Sequence, residues 1–142
     1  MNFIEFGDAV TSIGEWAFYG CQGLTGITIG RNVSRIGELA FYGCELLKNV
    51  DIPADSALTK IGSAAFAECS SLVSFVVPDL TTSIKSSAFQ NCYSLKDVYF
   101  GKLLTTIEDN AFNGCSSLKS GGIADKRKID RQFVVRGMFV DG

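Results

Sequence analysis

One pattern returns five times along the chain and limits what it can fold into. It begins at Ile13 and runs through Ala17-Phe18, Cys21, Leu24, Ile27 and Ile29. The same order follows at Ile36, Ala40-Phe41, Cys44, Leu47, Val50 and Ile52, and again at Ile61, Ala65-Phe66, Cys69, Leu72, Phe75 and Val77. A fourth copy holds Ile84, Ala88-Phe89, Cys92, Leu95, Val98 and Phe100, and a fifth Ile107, Ala111-Phe112, Cys115 and Leu118. The cysteines step by 23, 25, 23 and 23 residues. Self-similarity at a period of 20–50 residues means that each unit buries its apolar face only by stacking on its neighbours. The chain is therefore a solenoid, and every other reading starts from that.

The unit I-x-x-x-A-F-x-x-C-x-x-L-x-x-I-x-I resembles the BspA-like (treponemal-type) leucine-rich repeat. The Leu24-x-x-Ile27-x-Ile29 half corresponds to the strand of leucine-rich repeats in general. Their asparagine is found only at Asn32, with Asp55, Leu80 and Leu103 in the equivalent places, a departure that fits the BspA-like subclass. The resemblance implies a surface or secreted protein used for adhesion. It also implies a protein partner of the extracellular-matrix or host cell-surface class.

The fold class expected is an α/β repeat, a leucine-rich-repeat solenoid of about five 23-residue rungs. A parallel sheet lines one side, and short helices and turns line the other. The helix follows from Ile13, Ala17, Cys21 and Leu24, which fall on one face at 100° per residue. Glu108-Asp109 would then lie in a helix's first turn, where carboxylates suit the dipole. The strand alternates inward Ile27 and Ile29 with outward Gly26 and Thr28. Pro53 and Pro78 follow the strand, where a residue without an N–H ends the ladder.

Met1, Ile4, Phe6 and Val10 match the back half of a repeat, so residues 1–120 are expected to be a fragment of a longer array. Two extra residues in the third repeat fall within Ala54–Leu58, a turn where insertion is cheap. After Leu118 the pattern fails, with Gly121-Gly122 where a strand should follow. Residues 121–142, with 5 basic and 3 acidic side chains, read as a C-terminal cap or a disordered tail.

Composition narrows function. The 13 basic and 15 acidic residues nearly balance, unlike a dedicated nucleic-acid binder. No apolar run approaches the ~18 residues of a membrane span, and no signal peptide is visible. The chain has no histidine, which removes Ser-His-Asp and Cys-His catalysis and histidine metal ligands. No cysteine pair has zinc-ligand spacing. The five cysteines read as a column of small buried fillers, and Phe18, Phe41, Phe66, Phe89 and Phe112 as core. No catalytic residue, metal site or cofactor is expected.

The outward strand positions hold Glu5, Thr28, Asp51, Val76 and Tyr99, with Phe3, Gly26, Asn49, Ser74 and Asp97 beside them. They vary from rung to rung while the inward positions hardly do. That contrast favours a non-catalytic protein-recognition or adhesion face at Glu5, Thr28, Asp51, Val76, Asp97 and Tyr99. The alternative is a structural spacer within a larger surface protein, with no ligand of its own.

Overall fold

The computed structural model describes residues 2–118 and 123–125, with side chains described for 2–118. Each rung contributes two short strands. The longer set is β1 (Phe3–Glu5), β3 (Gly26–Thr28), β5 (Asn49–Asp51), β7 (Ser74–Val76), β9 (Asp97–Phe100) and β11 (Ile123–Asp125). The two-residue set is β2 (Ser12–Ile13), β4 (Arg35–Ile36), β6 (Lys60–Ile61), β8 (Ser83–Ile84) and β10 (Thr106–Ile107). All pairings are parallel and join equivalent residues of successive rungs, such as Ile4 with Ile27 and Ile27 with Val50. The chain is thus a β-solenoid of about five turns.

The two sets form different sheets. The two-residue strands run unbroken as β2-β4-β6-β8-β10. The longer strands form two separate ladders, β1-β3-β5 and β7-β9-β11. The break between β5 and β7 coincides with the rung that holds Pro53 and the two extra residues. There the hydroxyl of buried Ser56 accepts a hydrogen bond from Leu58 N at 3.1 Å, so the insertion is ordered against the core.

Among the described residues there is no helix, and the segments expected to be helical are chains of tight turns. In the second rung Ala40, Tyr42 and Cys44 each donate their N–H to the carbonyl three residues back, at 3.2–3.3 Å. The alternate N–H groups of Leu39, Phe41 and Gly43 instead donate to Ser63, Ala65 and Ala67 of the next rung, at 3.0, 2.8 and 2.9 Å. Half of the donors a helix would use are thus committed between rungs. The turns require left-handed backbone twice per rung, at Leu39 (φ 59°) and Gly43 (φ 73°), and likewise at Trp16 and Gly20, Ala64 and Glu68, Ser87 and Asn91, and Asn110 and Gly114. A right-handed helix cannot pass through such residues. A segment this short is also marginal as a helix, so the stacking ladder wins. Glu108 does not open a helix either: its carboxylate accepts Ser86 N at 3.1 Å and pairs with Lys85 at 3.2 Å.

The core is a set of columns. Phe18, Phe41, Phe66, Phe89 and Phe112 stack with centroids 5.2–5.4 Å apart and planes within 7° of parallel. The cysteines form the expected column without disulfides. The thiols of Cys44, Cys69, Cys92 and Cys115 each donate to the carbonyl of the preceding rung's phenylalanine, Phe18, Phe41, Phe66 and Phe89, at 3.1–3.2 Å. The column is therefore chosen for a small donor as well as for size. Burial pushes the Cys44 thiol up to about 11 and raises Cys69 and Cys92 as well.

One register reading changes at the C-terminal end. Ile123, Ala124 and Asp125 pair with Val98, Tyr99 and Phe100, so a strand does follow the fifth repeat, two residues later than the period places it. Of the cap or tail expected over 121–142, all but Ile123–Asp125 lies outside the described residues.

Candidate protein-recognition surface

The odd-numbered strands hold their inward residues, Ile27, Val50, Phe75 and Val98, in the core and turn the flanking residues outward. Register places Glu5, Thr28 and Asp51 in one row and Phe3, Gly26 and Asn49 in the next. Beyond the break, Val76 stands beside Tyr99, and Ser74 beside Asp97. The six candidate residues therefore fall into two groups on one side of the solenoid, with no ladder joining Asp51 to Val76. Gly26 is not free surface. It is buried beneath the Phe3 ring, and a Cβ there would come within 2.8 Å of Phe3 Cδ2.

The two groups differ chemically. Glu5 and Asp51 make the first acidic, with both side chains exposed. The second is apolar, with Val76 45% and Tyr99 41% exposed and Asp97 half-buried at its edge. A cleft of about 210 Å³ opens next to Val76, lined by Ile52, Pro53, Ala54, Val77, Pro78 and Asp79. Leu80 and Leu103, which stand where the general repeat has asparagine, are also half exposed. The sheet face thus carries carboxylates beside the exposed Phe3 ring at one end and the apolar pair Val76 and Tyr99 beside Asp97 at the other.

A second exposed cluster lies on the turn side and was not foreseen from the sequence. Trp16 and Tyr19 have ring centroids 4.8 Å apart, and Tyr19 stacks on Tyr42 at 5.1 Å. The Tyr42 hydroxyl is raised above its ordinary value by burial first, then by the charge of Glu68 and by Tyr19. The available signal was that the Trp16 position holds Leu39, Ala64, Ser87 and Asn110 in the later rungs, and the position of Tyr19 and Tyr42 holds Ala67, Gln90 and Asn113. Such variation marks surface rather than core.

The repeat model for the BspA type leucine rich repeat region matches residues 1–119 in six copies. The chain belongs to the BspA-type leucine-rich repeat family. Its similarity extends to solved structures. A leucine-rich repeat protein from Bacteroides ovatus is 31% identical over 99% of this chain, with a TM-score of 0.70. A leucine rich cell surface protein from Faecalibacterium prausnitzii is 25% identical over 90% of the chain, with a TM-score of 0.56. A leucine rich repeat protein from T. pallidum is 25% identical over 80% of the chain and 73% of its own length, with a TM-score of 0.52. The BspA-type chain spans 40% of the Bacteroides protein's length and 48% of the Faecalibacterium protein's. A search of curated proteins finds no match. Among the described residues, this BspA-type chain has no helix long and apolar enough to cross a membrane.

Proposed function

We propose that the chain is a non-catalytic recognition segment of a secreted or cell-surface protein, and that it binds a protein partner on the face formed by the odd-numbered strands. The observation that carries this reading is the contrast across each strand. Inward positions repeat in kind from rung to rung, whereas outward ones pass from Glu5, Thr28 and Asp51 to Val76 and Tyr99. Extended concave or flat surfaces built this way serve solenoids for binding. A cell-surface protein among the similar structures supports the location. Tyr99 is the anchor: tyrosine is enriched among binding hot spots because it offers broad amphipathic contact. Asp51 and Asp97 favour a basic partner, through rate and specificity more than through affinity.

The test is surface plasmon resonance of the purified chain against a panel of extracellular-matrix and cell-surface proteins, repeated with Tyr99→Ala and with Lys60→Ala. Lys60 is exposed on the other sheet. Tyr99→Ala should weaken binding by ≥ ~1 kcal/mol with the fold intact, and Lys60→Ala should not. If Lys60→Ala abolishes binding and Tyr99→Ala leaves it unchanged, the odd-strand face is not the site. Failure to bind any panel member would favour the spacer role.

A further inference from the structure

The break between β5 and β7 leaves backbone groups unpaired that the neighbouring junctions pair. One hydrogen bond recurs at the C-terminal ends of the odd-numbered strands. Phe6 N donates to Thr28 O at 3.0 Å, Ile29 N to Asp51 O at 2.8 Å and Val77 N to Tyr99 O at 2.7 Å. The equivalent bond at the break, from Ile52 N to Val76 O, is not made. The other ends of the strands repeat this. Thr25 N donates to Asn2 O, Lys48 N to Thr25 O and Lys96 N to Val73 O at 2.7–2.9 Å, but Val73 N does not reach Lys48 O.

A parallel ladder fixes where such groups point. By the recurring bond, the N–H of Ile52 faces the following rung and the C=O of Val76 faces the preceding one. Donor and acceptor therefore face each other across the gap. Both residues line the cleft of about 210 Å³ described above, between walls of Pro53, Ala54, Val77 and Pro78. The polar groups around them are engaged elsewhere. Pro53 O accepts from Ser56 N at 3.1 Å, Pro78 O from Thr81 N at 3.2 Å, and Asp79 Oδ1 from Lys102 N at 3.1 Å. The insertion that sets the spacing is itself tied down, with Ala57 N donating to Arg31 O at 2.9 Å and Leu58 N to Ser56 Oγ at 3.1 Å.

A donor and an acceptor set face to face between apolar walls suit a group that accepts on one side and donates on the other. A trans peptide group does so, because its C=O and N–H point in opposite directions. A carboxylate only accepts, and an ammonium only donates. Water can make both bonds but gains nothing from the apolar walls. We infer that the gap between β5 and β7 is a peptide-binding cleft for an extended segment of a protein partner. One peptide group of that segment accepts from Ile52 N–H and donates to Val76 C=O, and a neighbouring aliphatic side chain rests on Pro53 and Pro78. Capture of an extended segment through unpaired strand groups is a general mode of recognition. The inference rests on the odd-strand face being a protein-recognition surface and names how that face would take its partner.

The test is nuclear magnetic resonance of the ¹⁵N-labelled full chain titrated with acetyl-threonyl-leucyl-threonine amide. In the free chain the unpaired Ile52 amide should exchange with solvent faster than the paired Ile29 amide. The peptide should shift the Ile52 amide saturably and slow its exchange, with no matching change at Ile29. The same peptide with N-methylated peptide bonds lacks the donor and should bind at least about 5-fold more weakly. Ala54→Phe, on an exposed wall residue, should block the cleft with the fold intact by circular dichroism. Deletion of Ala54 and Asp55 restores the 23-residue step between Cys44 and Cys69 and should close the ladder and abolish binding; if that variant does not fold, Ala54→Phe decides. The inference is overturned if Ile52 exchanges as slowly as Ile29 in the free chain, if no saturable shift occurs, if the N-methylated peptide binds equally, or if Ala54→Phe binds in full. Tyr99 is not part of the cleft wall, so Tyr99→Ala should leave tripeptide binding unchanged. Failure of the cleft is thereby distinguished from failure of the wider face, which Tyr99→Ala reports against whole proteins.

Discussion

Phe66→Ala tests the stacked core directly. Phe66 is fully buried in the third rung. Its ring lies 5.2 Å from Phe41, 5.4 Å from Phe89 and 5.2 Å from Phe75, which meets it edge-on. Transfer of the side chain out of water contributes ~1.5–3 kcal/mol. The cavity adds to this, because rungs tied above and below by backbone hydrogen bonds cannot collapse onto it. Phe66 N donates to Ala88 O at 2.7 Å, and Phe41 N to Ala65 O at 2.8 Å. The total expected is ~3–5 kcal/mol. Stability in a solenoid is a sum of rung terms and nearest-neighbour interfaces. Phe66→Ala weakens two interfaces and strikes at the middle of the stack. Phe18 is only partly buried and stacks on Phe41 alone within the column, with Phe6 against its edge at 5.7 Å. Phe18→Ala should therefore cost about half as much. Urea denaturation followed by far-ultraviolet circular dichroism measures both. Equal losses in the two variants, or a loss below ~1 kcal/mol at Phe66, would mean that the column does not carry the fold.

The thiols give a second check. Cys21 is half-buried and the other four are buried, so a disulfide-exchange reagent should label one thiol in the folded chain and all five after denaturation. Raised folded-state values mean that the unfolded chain releases its thiol protons first. Stability is then full below about pH 9 and should fall as pH rises toward about 11, where Cys44 ionises in the folded state. The slope approaches ~1.4 kcal/mol per pH unit for each such thiol, and Cys44→Ala should reduce it; a flat profile across that window would contradict burial of the column. Two opposite backbone changes test the turn side. A Cβ at Gly62 would lie 2.8 Å from Ile36 O, Gly37 C and Glu38 N of the preceding rung, so Gly62→Ala should cost ~1–3 kcal/mol in thermal or chemical unfolding. Ala64→Gly, at φ 55°, should instead be neutral or stabilising by up to ~1 kcal/mol, and a clear loss would show that the left-handed turn is misplaced.

The repeat was legible in the sequence as far as Leu118. Side chains recurring every 23 residues can be buried only if the rungs stack in register, so the inward columns and the family followed directly, whereas the candidate residues, expected as one row, fall into two groups. The register Glu5–Thr28–Asp51 and the reduced cysteine column needed nothing more. The turn side was not legible in the same way. Ile13, Ala17, Cys21 and Leu24 suit one face of a helix as well as they suit a stack of turns, because both bury every third or fourth residue. What separates them is where the backbone N–H groups go. A carbonyl 22 residues ahead, such as Glu38 O for Trp16 N, becomes available only once the next rung is in place. The same holds for the continuous second sheet through Ser12–Ile13, whose two-residue strands are too short to show a period. The break between β5 and β7 and the displaced strand at Ile123–Asp125 also depend on how neighbouring rungs align. Side-chain periodicity belongs to the individual rung and is written in the sequence. Hydrogen bonding between rungs and the pairing of Tyr19 with Tyr42 are properties of the stack, and only the tertiary structure decides them.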